Sequence, residues 1–186
     1  MEFHERTKYA LANAVKELMK TTPLDKISVS EVVAECGTTR QTFYRNFKDK
    51  YDLVNWYFDK IVQKTIRQMG LSLTIEEGLI KKLELMKVDR YFFISAFSSS
   101  DYNSLLHYDY ECIYRFFKET ISAKVMLDED MDILLQYYCR SALHMTGDWV
   151  LHGMKQSSEH MTSLLIDLMP LKVYRCLQHI AGTQSS

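Results

Sequence analysis

Residues 28–53, with the sequence SVSEVVAECGTTRQTFYRNFKDKYDL, constrain the fold more than any other segment of the chain. Apolar residues recur at helical spacing from Val29 to Cys36, after a serine at position 28 or 30 that can cap a helix. Gly37 then supplies the left-handed backbone conformation with which helices commonly end. The pattern predicts a short helix, a tight turn and a second short helix.

The second helix is predicted to have one apolar side and one polar side. Phe43 and Phe47 are four residues apart, so both can pack against the first helix. Its N-cap is either Thr39, or Thr38 in a capping box with Gln41 three residues later. The opposite side is left for contact with a partner.

That polar side carries groups that suit DNA. Arg40 matches the hydrogen-bonding edge of guanine, Gln41 that of adenine, and Thr42 offers a methyl group. Residues 38–50 hold four basic side chains and one acid. The alternative to DNA binding is that these charges belong to an ordinary helix pair with a solvated charged face. The predicted DNA-binding residues are Ser28, Thr39, Arg40, Gln41, Thr42, Tyr44, Arg45, Asn46, Lys48 and Lys50.

The segment GTTRQTFYRNFKDKYDL resembles the recognition helix and following turn of the TetR/AcrR family of bacterial transcription regulators. The residues that carry this resemblance are Gly37, Thr39, Thr42, Phe43, Tyr44, Phe47, Lys50 and Leu53. It covers residues 8–53 in detail and the remainder in layout, where the carboxy-terminal half is also similar to dihydroxyacetone-kinase regulators. The resemblance implies a homodimer that binds a double-stranded DNA operator.

The rest of the chain is predicted to be helical, because only two prolines and six glycines interrupt 186 residues and the apolar spacing is helical throughout. We expect an all-α protein: an amino-terminal three-helix helix-turn-helix domain over residues 1–50, and a helical bundle over residues 51–186 that binds a ligand and dimerises. Further helices are predicted at about 4–21, 50–69, 75–86, 87–98, 102–124, 130–154 and 158–180.

Charge and composition favour a cytoplasmic DNA-binding protein. Residues 1–50 carry a formal charge of +2 and residues 51–186 a charge of −3, so the amino-terminal part suits a polyanion. No stretch of about 18 apolar residues exists, and the amino terminus is charged, so we expect no membrane segment. The four cysteines are far apart and form no CxxC pair, which indicates reduced, packed thiols.

No enzyme, metal site or cofactor is predicted. His144, Asp148 and His152 lie on one helix face and could hold a metal with a second segment, but solvated or interfacial hydrogen bonding is the ordinary explanation. Signatures such as GxSxG, a Walker loop or HExxH are absent from the sequence. We therefore expect a binding protein.

The middle of the chain is rich in aromatic residues, which predicts either a ligand cavity or a filled aromatic core. For a cavity, the effector is an unknown, largely apolar small molecule. Its predicted contacts are Tyr57, Phe58, Ile61, Phe93, Phe97, Tyr110 and Tyr114.

The last two predicted helices carry apolar residues on more than one side, so they are expected to form a four-helix dimer interface with a second subunit. Leu165 and Leu168 are predicted to lie in that interface, and Pro170 to kink the last helix.

The chain is thus expected to be a repressor released by a small ligand. The alternative is a regulator, including an activator, that a partner protein controls without a small-molecule pocket.

Overall fold

The computed structural model describes residues 3–101, 103–123 and 125–181, and these residues form helices without any β-strand. Two short 3-10 helices, Leu24–Lys26 and Ile66–Gln68, accompany the α-helices. The α-helices are α1 (Phe3–Leu18), α2 (Val29–Cys36), α3 (Arg40–Asn46), α4 (Lys50–Lys64), α5 (Ile75–Val88), α6 (Arg90–Phe97), α7 (Leu105–Ser122), α8 (Glu129–Leu151), α9 (Ser158–Asp167) and α10 (Leu171–Ala181). The all-α prediction is confirmed.

Two predicted helices end more than one turn earlier than expected. The helix predicted to continue to residue 180 is divided into α9 and α10 just before Pro170, whose ring and missing N–H disfavour an unbroken helix. The helix predicted to reach residue 69 ends at Lys64. The Thr65 hydroxyl donates to the Ile61 carbonyl at 2.8 Å, and the backbone of Thr65 leaves the helical region.

The described chain divides into two compact units, which are not the same as the two predicted domains. Unit 1 comprises residues 1–60 and 89–108, and unit 2 comprises residues 61–88 and 109–186. The boundary between them falls inside α4 and again inside α7. The functional division at residue 50 concerns which residues bind DNA, and it stays a prediction.

Unit 1 has a core that joins the helix-turn-helix to α4 and α6. The first helices contribute residues spaced to face inward, and α6 adds a cluster of aromatic rings. Its most deeply buried side chains include Leu11, Val15, Leu24, Ile27, Val32, Phe43, Phe47, Leu53, Phe58, Phe92 and Phe93.

Unit 2 is a helical bundle with its own core, formed by α5 and α7 to α10. The buried apolar side chains there include Leu83, Phe117, Ile121, Leu135, Leu165, Val173 and Leu177. Among the described residues, none of the helices combines the length and the hydropathy needed to cross a membrane.

Candidate nucleic-acid interface

The turn between α2 and α3 is built by local interactions that the sequence encodes. The Ser28 hydroxyl accepts from the Glu31 amide, and the Glu31 carboxylate accepts from the Ser28 amide, so a capping box begins α2. Gly37 ends α2 with φ 66° and ψ 34°, a conformation that costs glycine little. Thr39 then caps α3 by accepting from the Thr42 amide at 3.2 Å. The cap is Thr39, and Thr38 does not form the alternative capping box.

Hydrophobic contacts fix which side of α3 faces outward. Phe43 is fully buried and Phe47 is 3% exposed, and the two rings contact each other. Phe47 also packs edge-to-face on Trp56 of α4, with ring centroids 5.7 Å apart. Because α3 has only seven residues, these aromatic anchors determine the orientation of all its other side chains.

The outward side of α3 is polar, cationic and exposed. Arg40, Gln41, Tyr44 and Arg45 are all exposed, and Thr42 is half-buried beside them. Within the described residues, the side chains of Arg40, Gln41 and Arg45 have no hydrogen-bond or ion-pair partner. Their donors and acceptors therefore face solvent, which is the state that a helix needs before it enters the major groove.

Three predicted DNA contacts have structural roles as well. Ser28 and Thr39 use their hydroxyls as helix caps. The Asn46 side-chain amide donates to the Thr42 carbonyl at 2.8 Å, while its side-chain oxygen is buried without a protein partner. A DNA contact by Asn46 stays a prediction.

The two lysines after α3 differ in environment. Lys48 is exposed, whereas the Lys50 ammonium donates to the carbonyls of Asp25 and Ile27, each at 2.8 Å. An ammonium has three donors, so Lys50 keeps one for a phosphate while it holds the segment that leads into α2. Its role is thus partly structural, which its sequence position did not indicate.

Asp25 joins the helix-turn-helix to other parts of unit 1, and sequence reasoning missed it. Its carboxylate accepts from the hydroxyls of Tyr51 and Ser99 and from the Ser100 amide. The hydrogen bonds that Ser99, Ser100 and Tyr51 donate to the Asp25 carboxylate lower its pKa. Burial, together with the hydrogen bond to the Asp25 carboxylate and its charge, raises the pKa of Tyr51 to about 12. The Leu24 amide also donates to the Ser95 hydroxyl of α6 at 2.8 Å. No local sequence motif marks these long-range partners.

Four predicted ligand contacts lie in the packed core of unit 1. Phe58, Phe93 and Phe97 are buried, and their rings form successive aromatic contacts with centroids 6.3 and 6.5 Å apart. The Tyr57 hydroxyl lies between Lys16 and Asp89, which themselves form an ion pair at 2.6 Å. This region matches the filled-core alternative, since the rings occupy one another's space. Ligand binding by these four residues stays a prediction.

The other three predicted ligand contacts belong to unit 2. Ile61 is buried there. Tyr110 and Tyr114 are half-buried and stacked in parallel with centroids 5.9 Å apart, and cations flank them: Arg140 over Tyr110 and Lys118 over Tyr114. The structure therefore distributes the seven predicted residues over a core in unit 1 and separate positions in unit 2.

Unit 2 exposes apolar side chains on α8 and α9. On α8 these are Ile133, Leu134, Tyr137 and Leu151; on α9 and just after it they are Leu164, Leu168 and Leu171. Their exposed fractions lie between 37% and 65%, which is unusual for so many apolar side chains on two neighbouring helices.

The expected interface role of Leu165 is wrong for a physical reason. Leu165 is only 3% exposed in the protomer, and its carbonyl accepts from the Tyr138 hydroxyl at 3.2 Å. The apolar pattern of α9 has two sides, and Leu165 lies on the side that packs into the protomer. Leu168, the other residue expected in the interface, is 38% exposed.

Comparisons with known proteins agree with this architecture. Residues 11–56 match the family described as bacterial regulatory proteins, tetR family, and residues 74–170 match a transcriptional regulator C-terminal region of the TetR type. The HTH-type dhaKLM operon transcriptional activator DhaS of Lactococcus lactis subsp. lactis (strain IL1403) is 22% identical over 174 aligned positions, and the alignment covers 88% of each chain.

Two solved structures have a similar fold. One, a dihydroxyacetone kinase operon activator DhaS, has a TM-score of 0.68 and 19% identity and covers 91% of this chain and 97% of its own. The other, a TetR transcriptional regulator from Streptococcus agalactiae 2603V, has a TM-score of 0.66 and 21% identity. Its match covers 90% of this chain and 96% of its own. At these identities, the likeness concerns the fold.

Proposed function

The chain belongs to the TetR family of bacterial transcription regulators, and from this premise we propose that it is a homodimeric, ligand-responsive repressor. It regulates transcription and is not an enzyme. In this proposal each subunit places α3 in the major groove of one half of an inverted-repeat operator. The protein acts in the cytoplasm, where a bacterial operator is accessible.

The observation that carries this proposal is the outward side of α3. Arg40 and Gln41 lie in its first turn, which enters the groove deepest in helix-turn-helix proteins. Both side chains are exposed, and both can pair with two atoms of one base edge. Tyr44, Arg45 and Lys48 follow at exposed positions from which they can contact phosphates.

Dimerisation is supported by the apolar side chains that α8 and α9 expose. Burial of such side chains against a second copy removes apolar surface from water at about 25 cal/mol per Å². A two-fold symmetric dimer presents the same surface from each subunit. It also presents two copies of α3, whose separation must match one turn of DNA, about 34 to 36 Å, or a multiple of it.

Control by a small ligand is supported by a mainly apolar cavity within unit 2, bordered by α5, α7, α8 and α9. A ligand there shifts the protein between two states only if it binds one of them more tightly. Both α4 and α7 begin in one unit and end in the other, so a change within unit 2 has a continuous backbone route towards α3.

A second candidate is an activator that receives its signal from a partner protein. The relative from Lactococcus lactis is named as a transcriptional activator of the dhaKLM operon. Exposed apolar residues outside α8 and α9 are compatible with a protein partner: Val88 is 78% exposed and Tyr91 is 53% exposed. In this case the unit 2 cavity has no effector.

DNA selection by the purified protein tests the proposed function. Random double-stranded DNA is incubated with the protein, and bound molecules are sequenced over several rounds. We expect an inverted repeat whose half-sites are about 10 base pairs apart, or a multiple of this spacing. Recovery of sequences without a shared motif would contradict the proposal.

A screen then separates the two forms of control. Small molecules that raise the melting temperature are added to the complex of the protein with its selected site. Release of DNA by one of them supports the ligand-responsive repressor. Retention of DNA with every stabilising molecule favours the activator that a partner protein controls.

A further inference from the structure

The cavity of unit 2 combines apolar walls with a buried pair of charges. It contains about 440 Å³ of space outside the protein atoms, counted together with its opening to solvent. Most of its lining is apolar and includes Leu79, Ile113, Phe117, Leu143 and Leu165. Its charged wall is formed by Lys82 of α5 and Asp109 of α7.

Lys82 and Asp109 form a salt bridge away from water. The Lys82 ammonium donates to both carboxylate oxygens of Asp109, each at 3.1 Å, and the side chains are 5% and 0% exposed. Burial raises the pKa of Asp109, and the neighbouring Lys82 charge opposes that effect. Because apolar residues of similar volume often replace such a pair without loss of stability, packing alone does not account for it.

The remaining polar groups at the cavity wall can accept but not donate. The Thr146 hydroxyl already donates to the Ala142 carbonyl at 2.8 Å, and the Tyr138 hydroxyl donates to the Leu165 carbonyl at 3.2 Å. Each hydroxyl oxygen keeps lone pairs that can accept a hydrogen bond. Each Asp109 oxygen has two acceptor positions, and Lys82 uses one on each.

We propose that this cavity binds a small, uncharged effector with an apolar body and a hydroxyl group that hydrogen-bonds to the Lys82–Asp109 pair. The inference rests on the proposed control by a ligand and adds the chemical class of that ligand. Lys82 and Asp109 are its specificity-determining residues, and the apolar lining holds the body of the molecule.

The chemistry of the wall selects a hydroxyl over other polar groups. A hydroxyl can donate to an oxygen of Asp109, Thr146 or Tyr138, each of which keeps an acceptor position. The salt bridge is neutral as a whole, so a carboxylate or ammonium on the ligand would bring an uncompensated charge next to a buried ion pair and mostly apolar walls. An alcohol loses little on desolvation, provided that its hydroxyl finds these partners.

The size of the cavity limits the ligand and connects binding to a change of shape. Much of the 440 Å³ is a narrow space that continues into solvent, so a ring-sized molecule must displace flexible side chains such as Leu79 and Leu143. It therefore binds a more open state of unit 2 in preference to the closed one. Such differential affinity is what an effector requires.

The test compares an alcohol with its parent hydrocarbon, 2-phenylethanol with ethylbenzene, on the full-length protein. Melting temperature and calorimetric titration measure binding. We expect the wild-type protein to bind 2-phenylethanol at least tenfold more tightly than ethylbenzene. In the double variant Lys82→Met/Asp109→Leu the preference should fall to within about twofold, while the protein still folds and binds its selected DNA site.

Two further variants keep the outcome interpretable. Replacement of Lys82 or Asp109 alone leaves a buried unpaired charge and endangers folding, which is why both are replaced together. The variant Lys118→Met/Asp132→Asn removes a partly exposed ion pair of 3.0 Å between α7 and α8, and it should keep the alcohol preference. If the Lys82→Met/Asp109→Leu variant does not fold, Lys82→Met/Asp109→Val, which also removes both charges together but with a smaller side chain at position 109, is measured in its place.

The inference is overturned if wild-type protein does not distinguish the two probes, or if the Lys82/Asp109 double variant keeps the preference for the alcohol. DNA binding is recorded in the same samples without any probe. The inference is supported if the Lys82/Asp109 double variant loses the alcohol preference and still binds the operator. Wild-type protein that binds the alcohol but selects no DNA sequence would contradict the proposed function and leave this site in place.

Discussion

Two exposed helix surfaces of this protein differ in chemistry, and the difference indicates two kinds of partner. The outward side of α3 exposes arginine, glutamine and tyrosine, whereas α8 and α9 expose leucine, isoleucine and tyrosine. A cationic surface that can pair with base edges suits a polyanion, and an apolar surface suits another protein surface. We therefore propose that unit 1 carries the DNA-reading surface, formed by the outward side of α3, and that unit 2 carries the contact surface, formed by the exposed apolar residues of α8 and α9.

The two surfaces also differ in how their sequence specifies them. Local signals position α3: Ser28 and Gly37 set the limits of the preceding helix α2, Thr39 caps the start of α3, and Phe43 sets the orientation of α3. The contact surface has no such markers, because α8 and α9 are apolar on a second side as well, which faces the core of unit 2. Only the folded protomer distinguishes exposed Leu164 from buried Leu165.

The largest expected effect follows from a charge on the contact surface. We expect Leu168→Glu to convert the dimer to a monomer, because an unpaired carboxylate in an apolar interface is costly to desolvate. A monomer reaches one half-site, so operator affinity should fall by at least about a hundredfold, or about 2.8 kcal/mol. Sedimentation velocity and DNA titration measure both effects.

Two companion variants sharpen the assignment of Leu168. Gln156→Glu adds a charge at an exposed position between α8 and α9 and should leave the dimer intact. Leu165→Ala creates a cavity in the protomer and should cost about 2 to 5 kcal/mol of unfolding free energy, while the folded protein remains dimeric. A dimeric Leu168→Glu protein would show that the subunits associate elsewhere.

The next effect concerns the DNA-reading surface. Arg40→Ala or Gln41→Ala should reduce discrimination between the selected site and a site mutated at the contacted base by about 1 to 3 kcal/mol. The dimer should persist, since α3 is distant in sequence from α8 and α9. Arg115→Ala, which removes an exposed arginine from α7, serves as the control. Unchanged discrimination in both α3 variants would contradict base reading by this helix.

A smaller effect separates the two lysines that follow α3. Lys48→Ala should weaken binding to every DNA sequence alike and reduce the slope of log affinity against log salt by about 0.9, as for one lost phosphate contact. Lys50→Ala should also lower the melting temperature, because it leaves the carbonyls of Asp25 and Ile27 without their donor. Equal melting temperatures for the two variants would remove the structural role assigned to Lys50.

The smallest expected effect tests the cap that begins α2. Ser28→Ala removes the hydroxyl that accepts from Glu31 and should cost about 1 kcal/mol of unfolding free energy. Denaturant unfolding measures this change. Operator discrimination should stay the same, because Ser28 in this account positions the helix-turn-helix; a clear change in discrimination would instead assign Ser28 a direct DNA contact.

Much of the helix-turn-helix could be predicted from the sequence, because its limits depend on neighbouring residues. The glycine at position 37 and the threonine at position 39 determine the turn through their own backbone and hydroxyl groups. The all-α class followed similarly from the spacing of apolar residues. Such features need no knowledge of distant parts of the chain.

The remaining features depend on contacts that sequence spacing does not contain. Asp25 bonds Ser99 across 74 positions, and Lys82 meets Asp109 across 27. The aromatic residues were compatible with a pocket or a core, and only their mutual contacts in unit 1 show a packed arrangement. The charged cavity of unit 2 was missed because one lysine and one aspartate on separate helices form no motif.

The most direct test of the account is DNA selection with wild-type protein and with the Arg40→Ala/Gln41→Ala double variant, side by side. In this account α3 determines which bases are read, and the subunit contact determines how far apart the two half-sites lie. We therefore predict that the variant loses the base preferences at the centre of each half-site and keeps the half-site spacing. An unchanged motif in the variant would contradict the assignment of DNA reading to α3.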